Sequence, residues 1–305
     1  MFEFINNILP FKKNLPIDET HLLKYDQDFF VDKSIQNEIK QKGFAVRKLL
    51  GNEQVNLLKN DFSDIFERED NEITELFWNS GRAKSTIVRN MARTTIKKNV
   101  QPYLEKFFLP NKADLMGGVF VVKPPSSTSE LNPHQDSSHV EENQFMSVYA
   151  WCTLTDVTIN NGALHIILGS HRFGNTQRSL NVPWQFAPYT DVLWQYAQPV
   201  EMKAGEVLFF DSAAIHCSPI NKSQDYRLAV NFFVKQKAAD FLHYYVGEET
   251  NKNHVEKFIV DMDFFYDKDF EKRPSDPYFK KGEEKNVDLH LNKKKVIQFC
   301  ELGKA

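Results

Sequence analysis

Cysteine is scarce in this 305-residue chain. Cys152, Cys217 and Cys300 are widely spaced, and no C-x-x-C pair occurs. An odd, dispersed set excludes a disulfide framework and a cysteine-based zinc or redox motif, and it fits a reducing, cytoplasmic setting. Long apolar runs are also missing: nothing approaches the roughly 20 residues needed to span a bilayer. The opening MFEFINNILPFKKN lacks the basic start and long apolar stretch of a secretory signal. Packing onto the body is favoured over a weak amphipathic surface anchor. There is no basic excess either. Lys and Arg number 38 against 41 Asp and Glu, a net charge of -3 with a pI near 6.3, so no nucleic-acid partner is expected. The basic clusters Lys97-Lys98 and Lys293-Lys294-Lys295 read as solvated faces.

What is present is an ordinary globular composition, 41% hydrophobic and 26% charged, which rules out wholesale disorder. Phenylalanine is abundant, with 26 copies, and favours a sheet-rich body with a bulky core. No internal repeat is visible. Residues from about 18 to 110 read as mainly helical. Asn52 is placed to cap EQVNLLKNDFSDIF, where Val55, Leu58, Phe62 and Phe66 recur near the 3.6 period. SIQNEIKQKG is a shorter helix, with Ser34 as cap and Gly43 as stop.

Near Leu115 the pattern changes to short apolar runs: GGVFVV, MSVYAWCTL, GALHIIL, EVLFF, AAIHC and RLAVNFFV. Turn signals separate them, which predicts an antiparallel barrel or jelly roll. Residues 169–199, rich in Trp, Pro and Tyr, read as a long loop over one mouth. The tail from about 240 alternates charged and aromatic residues, and NKKKVIQFCELGKA is a short helix or loose.

The segment that carries chemistry is Asn132-Pro133-His134-Gln135-Asp136. On an extended strand His134 and Asp136 project from one face. His216 follows 82 residues later in another strand-like run. Two histidines and a carboxylate on a barrel fit the facial triad of a non-haem Fe(II) oxygenase, which leaves three positions open. Arg227 lies eleven residues past His216, at the start of RLAVNFFV. Alternation puts Arg227, Ala229 and Asn231 on the interior face, and Leu228, Val230, Phe232 and Val234 against the N-terminal helices. An inward guanidinium needs an anion. A dicarboxylate co-substrate supplies one through a bidentate pair, and Ser218, two past His216, adds a hydrogen bond. Ser147, Tyr149, Trp151 and Thr153 share one face, so Tyr149 and Trp151 both reach toward the pocket.

Other candidates read as structural. His139 belongs to a polar loop and His165 to a strand. His171 sits in a turn that shapes the site, and Asp211 caps a turn. Cys217 and Cys152 point to the packing side. Lys123 is either a strand-end residue or a neighbour of the co-substrate.

These residues resemble the phytanoyl-CoA dioxygenase family of Fe(II)/2-oxoglutarate oxygenases. The resemblance rests on KPP at 123–125, HQD at 134–136, NGALHIILGSHR at 161–172 and KAGEVLFFDSAAIHCSPINKSQDYR at 203–227, in that order. It implies a double-stranded β-helix (jelly-roll, cupin-like; α+β with a mainly β core) buttressed by helices. The expected organisation is one oxygenase domain over 1–305, with a mainly helical part at 1–114, the core at 115–237 and an extension at 238–305. The implied metal ligands are His134, Asp136 and His216, and the implied 2-oxoglutarate partners are Arg227, Ser218 and Trp151. The implied reaction uses Fe(II), 2-oxoglutarate and O2 to hydroxylate an unactivated C–H bond of a small molecule, releasing succinate and CO2. Desaturation, epoxidation or cyclisation on the same scaffold, and a non-catalytic metal- or ligand-binding relative, stay open as alternatives. So do the substrate and the oligomeric state. Halogenation is disfavoured because Asp136 occupies the place a halide would need. The 169–199 connection and the segment 137–145 are expected to form the substrate-facing rim, with Trp184 and Tyr189 in the pocket wall.

Overall fold

A computed structural model describes residues 19–68, 77–174, 176–247, 254–267 and 271–304. The candidate N-terminal anchor lies outside the described residues. The first helix, α1 (Lys33–Lys42), ends as expected at Gly43, whose φ of 92° is left-handed. Its cap is Asp32 rather than Ser34. The Asp32 carboxylate accepts the Ser34 N–H at 2.8 Å and satisfies an otherwise orphaned donor. β1 (Phe44–Lys48) follows, then α2 (Asn52–Phe66), which begins one residue past its Gly51 cap. Asn52 is therefore the first helical residue. Gln54 reaches back to accept the Gly51 N–H at 3.2 Å. β2 (Trp78–Asn79), α3 (Thr86–Asn99) and α4 (Gln101–Leu104) complete this half, which is helical but for two strands.

The expected strands follow as β3 (Ala113–Lys123), β4 (Leu131–His134), β5 (Ser147–Thr153) and β6 (His165–Ile167). After α5 (Thr190–Tyr196) come β7 (Ala197–Pro199), β8 (Glu206–Asp211), β9 (His216–Ser218) and β10 (Arg227–Gln236). They form two antiparallel sheets, a larger one in the order β1-β8-β5-β10-β3-β2 and a smaller one in the order β4-β9-β6-β7. This is a double-stranded β-helix. The tail adds β11 (Leu242–Tyr245), β12 (His254–Ile259), α6 (Met262–Asp267), β13 (Phe279–Lys285) and α7 (Lys293–Gly303). β11, β12 and β13 make a third, three-stranded sheet.

Strand parity explains the layers. Leu228, Val230, Phe232 and Val234 of β10 join Cys152, Phe209 and the buried faces of α1, α2 and α3 in one core. The opposite parity, Trp151, Leu208, Phe210 and Ala229, packs between the sheets with Leu164 and Ile166. Burying a Phe or Leu contributes about 1.5–3 kcal/mol each, so the helices hold the large sheet firmly. Among the described residues no helix is long and apolar enough to cross a membrane.

A separate core ties the C-terminus to the long loop. Phe299 of α7 stacks on Phe173 at 5.2 Å, with Phe186, Val192 and Leu193 around them. Gly303 lies against the Leu168 carbonyl and Gly169, so a β-carbon there would press on backbone that has nowhere to swing. Gly303→Ala is therefore expected to loosen α7 and to cost about 1–3 kcal/mol of stability, read as a lower urea midpoint. An unchanged midpoint would show that this close approach is not needed.

Candidate metal centre

Antiparallel pairing of β4 with β9 sets His134 directly opposite His216. Their ring centroids are 4.2 Å apart. Asp136 lies two residues past His134, and its carboxylate oxygens sit 3.9 Å from His134 Nε2 and 3.7 Å from His216 Nε2. One ligand atom from each residue falls within 4.8 Å of the others. Both rings are oriented from behind: His134 Nδ1 lies 2.8 Å from the Asn132 carbonyl and His216 Nδ1 3.1 Å from the Ala214 carbonyl. A carbonyl can only accept, so each Nδ1 carries a proton and each Nε2 is turned toward the Asp136 carboxylate. Burial, reinforced by the neighbouring His216, holds the His134 pKa down to about 4. A carboxylate and two imidazoles, one of them held neutral, form a mixed N/O donor set suited to a divalent first-row metal.

Behind the three ligands lies an inner chamber of about 230 Å³, with Arg227, Lys123, Ser218, Trp151 and Leu164 in its wall. Arg227 on β10 is the direct cross-strand partner of Lys123 on β3. The two cations are 5% and 2% exposed. Like charges placed opposite one another in a sheet are destabilising, so this pair calls for an anion. Arg227 gives one N–H to the Gly162 carbonyl, while its buried Nε has no partner. Its guanidinium lies over the Trp151 ring at 5.2 Å. Lys123 donates to Ser218 Oγ at 2.8 Å and to the Ser129 carbonyl. Ser218 is thus bonded through Lys123, which stands beside Arg227 in this chamber. Burial, then the Arg227 charge, push the Lys123 ammonium down to about 7.

In front of the ligands opens an outer chamber of about 450 Å³. The two chambers share His134, Asp136, Asn79, Arg82 and Asn231. Both expected rim segments contribute, through Ser137 and His139 and through Arg178 to Trp184. Trp184 donates its indole N–H to Gln135 Oε1 at 2.9 Å. Tyr189 turns elsewhere: its hydroxyl donates to the Leu291 carbonyl at 3.0 Å and its ring packs against the α7 core. Tyr149 lines this chamber.

His139 is not a solvated loop histidine. Its ring packs among Phe233, Phe241 and Phe265 at 4.9–5.3 Å in the chamber wall. His165 pairs with the Ala163 carbonyl at 2.9 Å beside Trp194. His171 is buried outside both chambers, its Nε2 3.2 Å from the Lys40 carbonyl. Asp211 caps its turn through the Ala213 N–H at 2.8 Å. It is also fully buried, with Lys24 at 3.2 Å and a bond from Tyr25. His243, Met262 and Phe265 of the tail line the outer chamber as well. No spacing links them to the HQD segment, and the alternation of charged and aromatic residues in the tail does not single them out.

Another missed group is the buried pair Arg178–Glu142. Two guanidinium nitrogens donate to the two carboxylate oxygens at 2.9 and 2.7 Å. Arg178 Nε donates to the Asp136 carbonyl at 2.9 Å, and Ser212 Oγ donates to Glu142 at 2.9 Å. The fork therefore fixes the backbone of the carboxylate ligand.

The family model of phytanoyl-CoA dioxygenase matches residues 39–229. Phytanoyl-CoA dioxygenase domain-containing protein 1 of Danio rerio is 27% identical over 152 residues, 47% of this chain and 52% of that protein. The peroxisomal phytanoyl-CoA dioxygenase of Bos taurus is 28% identical over 173 residues, 52% of this chain and 49% of that one. The chain thus spans about half the length of these curated relatives. Among solved structures, the non-haem alpha-ketoglutarate-dependent carbocyclase SnoK from nogalamycin biosynthesis superposes with a TM-score of 0.51 at 19% identity. That match covers 69% of this chain and 86% of the carbocyclase, and it supports the fold.

Arg178→Leu would leave Glu142 buried without its cation. The expected cost is about 3–5 kcal/mol, read by urea denaturation. A loss below about 1 kcal/mol would mean that Ser212 and solvent suffice for Glu142.

Proposed function

Because the chain belongs to the phytanoyl-CoA dioxygenase family, we propose that it is an Fe(II)- and 2-oxoglutarate-dependent dioxygenase that hydroxylates an unactivated C–H bond of a small molecule. One observation carries the reading. Three candidate metal-ligand atoms converge where a smaller chamber holding two buried cations meets a larger one. In this reading His134, Asp136 and His216 hold iron, and the chain acts as one oxygenase unit over 1–305. Its free, buried cysteines suit a reducing compartment such as the cytoplasm.

The unpartnered Nε of Arg227 and the opposed Lys123 suit a dicarboxylate. When bound, the iron, 2-oxoglutarate and O2 supply oxidative decarboxylation to succinate and CO2 coupled to substrate oxidation. The chain's own residues bind and orient. Arg227 takes the distal carboxylate through its planar fork, and Trp151 fixes the plane of that guanidinium. Lys123 adds charge to the same carboxylate and holds Ser218. The two Nδ1–H groups keep the imidazoles turned toward the metal, and Arg178 holds the Asp136 backbone. Trp184, Phe233 and Phe265 line the outer chamber beside these residues.

Asp136→Ala is expected to abolish succinate release and to lower iron content after reconstitution. Full iron occupancy with full turnover would overturn the triad. Arg227→Ala should weaken 2-oxoglutarate roughly tenfold or more, since a charge-assisted bond is worth about 1.5–3 kcal/mol. Arg227→Lys should restore only part of it.

A pH effect follows from Lys123. Its ammonium loses its proton near pH 7, and only the charged form attracts a dianion. Affinity for 2-oxoglutarate should therefore fall as pH rises above about 7, and Lys123→Met should flatten that fall. Calorimetric titration between pH 6 and 8.5 checks this, and an equal slope in both proteins would remove Lys123 from the site.

A further inference from the structure

The outer chamber has an unusual polar balance. Its wall is largely apolar, with Val119, Tyr149, Val182, Trp184, Phe233 and Phe265 prominent. Its charges are already committed. Asp136 belongs to the ligand set, Arg178 is held by both oxygens of Glu142, and Arg82 has interactions of its own. His139 and His243 are both held below the ordinary histidine range by burial, His243 down to about 3. Both are therefore neutral at pH 7.

Two buried polar atoms in this wall nonetheless have no partner, Asn231 Oδ1 and His243 Nε2. His243 is 3% exposed and packs against Phe264 and Phe265 at 5.0 and 6.0 Å. Asn231 stands at the junction of the chambers, between Trp151 and Val119 on the neighbouring strands. An orphaned buried polar atom is costly, and two such atoms in the wall of one cavity mark where a ligand's polar groups go. Phe233, His243, Met262 and Phe265 also lie beyond residue 229, where the family match ends. That part of the wall belongs to this chain's own C-terminal part.

We infer that the outer chamber takes an uncharged, flat or compact apolar molecule carrying a hydroxyl or N–H, with Asn231 Oδ1 accepting from that donor and His243 Nε2 meeting a second polar group. This rests on the oxygenase reading in identifying the ligand as a substrate. The recognition itself needs neither metal nor 2-oxoglutarate. A carboxylate or a phosphate-bearing carrier is disfavoured, because the Asp136 carboxylate faces the cavity and Arg178 is already held by both oxygens of Glu142.

The test uses the full chain, with and without Fe(II) and 2-oxoglutarate, under anaerobic conditions. The probes are 2-naphthol, naphthalene and 2-naphthoate, with 1-adamantanol and 1-adamantanecarboxylate as a non-aromatic pair. Binding is read by tryptophan fluorescence. The alcohols are expected to bind at least tenfold more tightly than the carboxylates, and 2-naphthol more tightly than naphthalene. Asn231→Leu should erase the preference for 2-naphthol over naphthalene. His243→Phe, which fits the surrounding aromatic cluster, should weaken the alcohols while 2-oxoglutarate binding is kept. Tighter binding of the carboxylates, no binding of any alcohol, or an unchanged preference in both variants would overturn the inference. A separate titration with 2-oxoglutarate reports on the oxygenase reading alone: its failure with alcohol selectivity intact would sink that reading and leave the chamber's selectivity standing.

Discussion

The pairing of two short strands governs this molecule. β4 and β9 meet antiparallel with His134 opposite His216, and that register brings three candidate ligand atoms within 4.8 Å of one another. A slip of one residue would turn His216 outward and Cys217 inward. Short strands hold register weakly by themselves. Here it is fixed from outside, by β6 on the far side of β9 and by the turn that Asp211 caps. The fold's larger sheet and its helices serve as the rigid backing that makes so small a ladder reliable.

Much of this was legible in the sequence because strand parity is a strict code. Alternation in RLAVNFFV separated the helix-facing residues from Arg227 and Asn231, and the same rule placed Trp151 opposite Cys152. Motif spacing singled out the three candidate ligands. What remained hidden depends on contacts between residues far apart in the chain. β1 reads as part of a helical half, yet it completes the edge of the large sheet against β8. The tail shows no clean period, because its short strands and the helix α6 bury residues in several separate clusters. Glu142 and Arg178 are 36 residues apart, in segments that read as polar loop. Such a pair has no local signature, since only the folded chain makes them neighbours.

Charge burial follows one logic throughout. Lys24 is set against Asp211 and Arg178 against Glu142, each deep in the protein with its counter-ion in place. Removing one member of such a pair costs more than the pair itself contributes. The cross-strand couple of Arg227 and Lys123 breaks that logic. It has two like charges, both with their proton affinity depressed by burial, and a nitrogen without a partner. Lys24 and Arg178 are answered from within the chain, whereas Arg227 and Lys123 face one another without a carboxylate bonded to either among the described residues.

The order in which the wall of the outer chamber appears along the chain has a consequence for biosynthesis. The ligand strands and β10 are complete by Gln236, whereas His243, Met262, Phe265 and the α7 core lie beyond it. Chains emerge from the ribosome N-terminus first, at roughly 5–20 residues per second. Between the emergence of Gln236 and that of Phe265 the inner chamber can exist while the outer one still lacks a side. During that interval Phe233 and the ring of His139 are without the aromatic partners that later cover them. The nascent protein thus passes through a stage in which this mouth has only part of its wall.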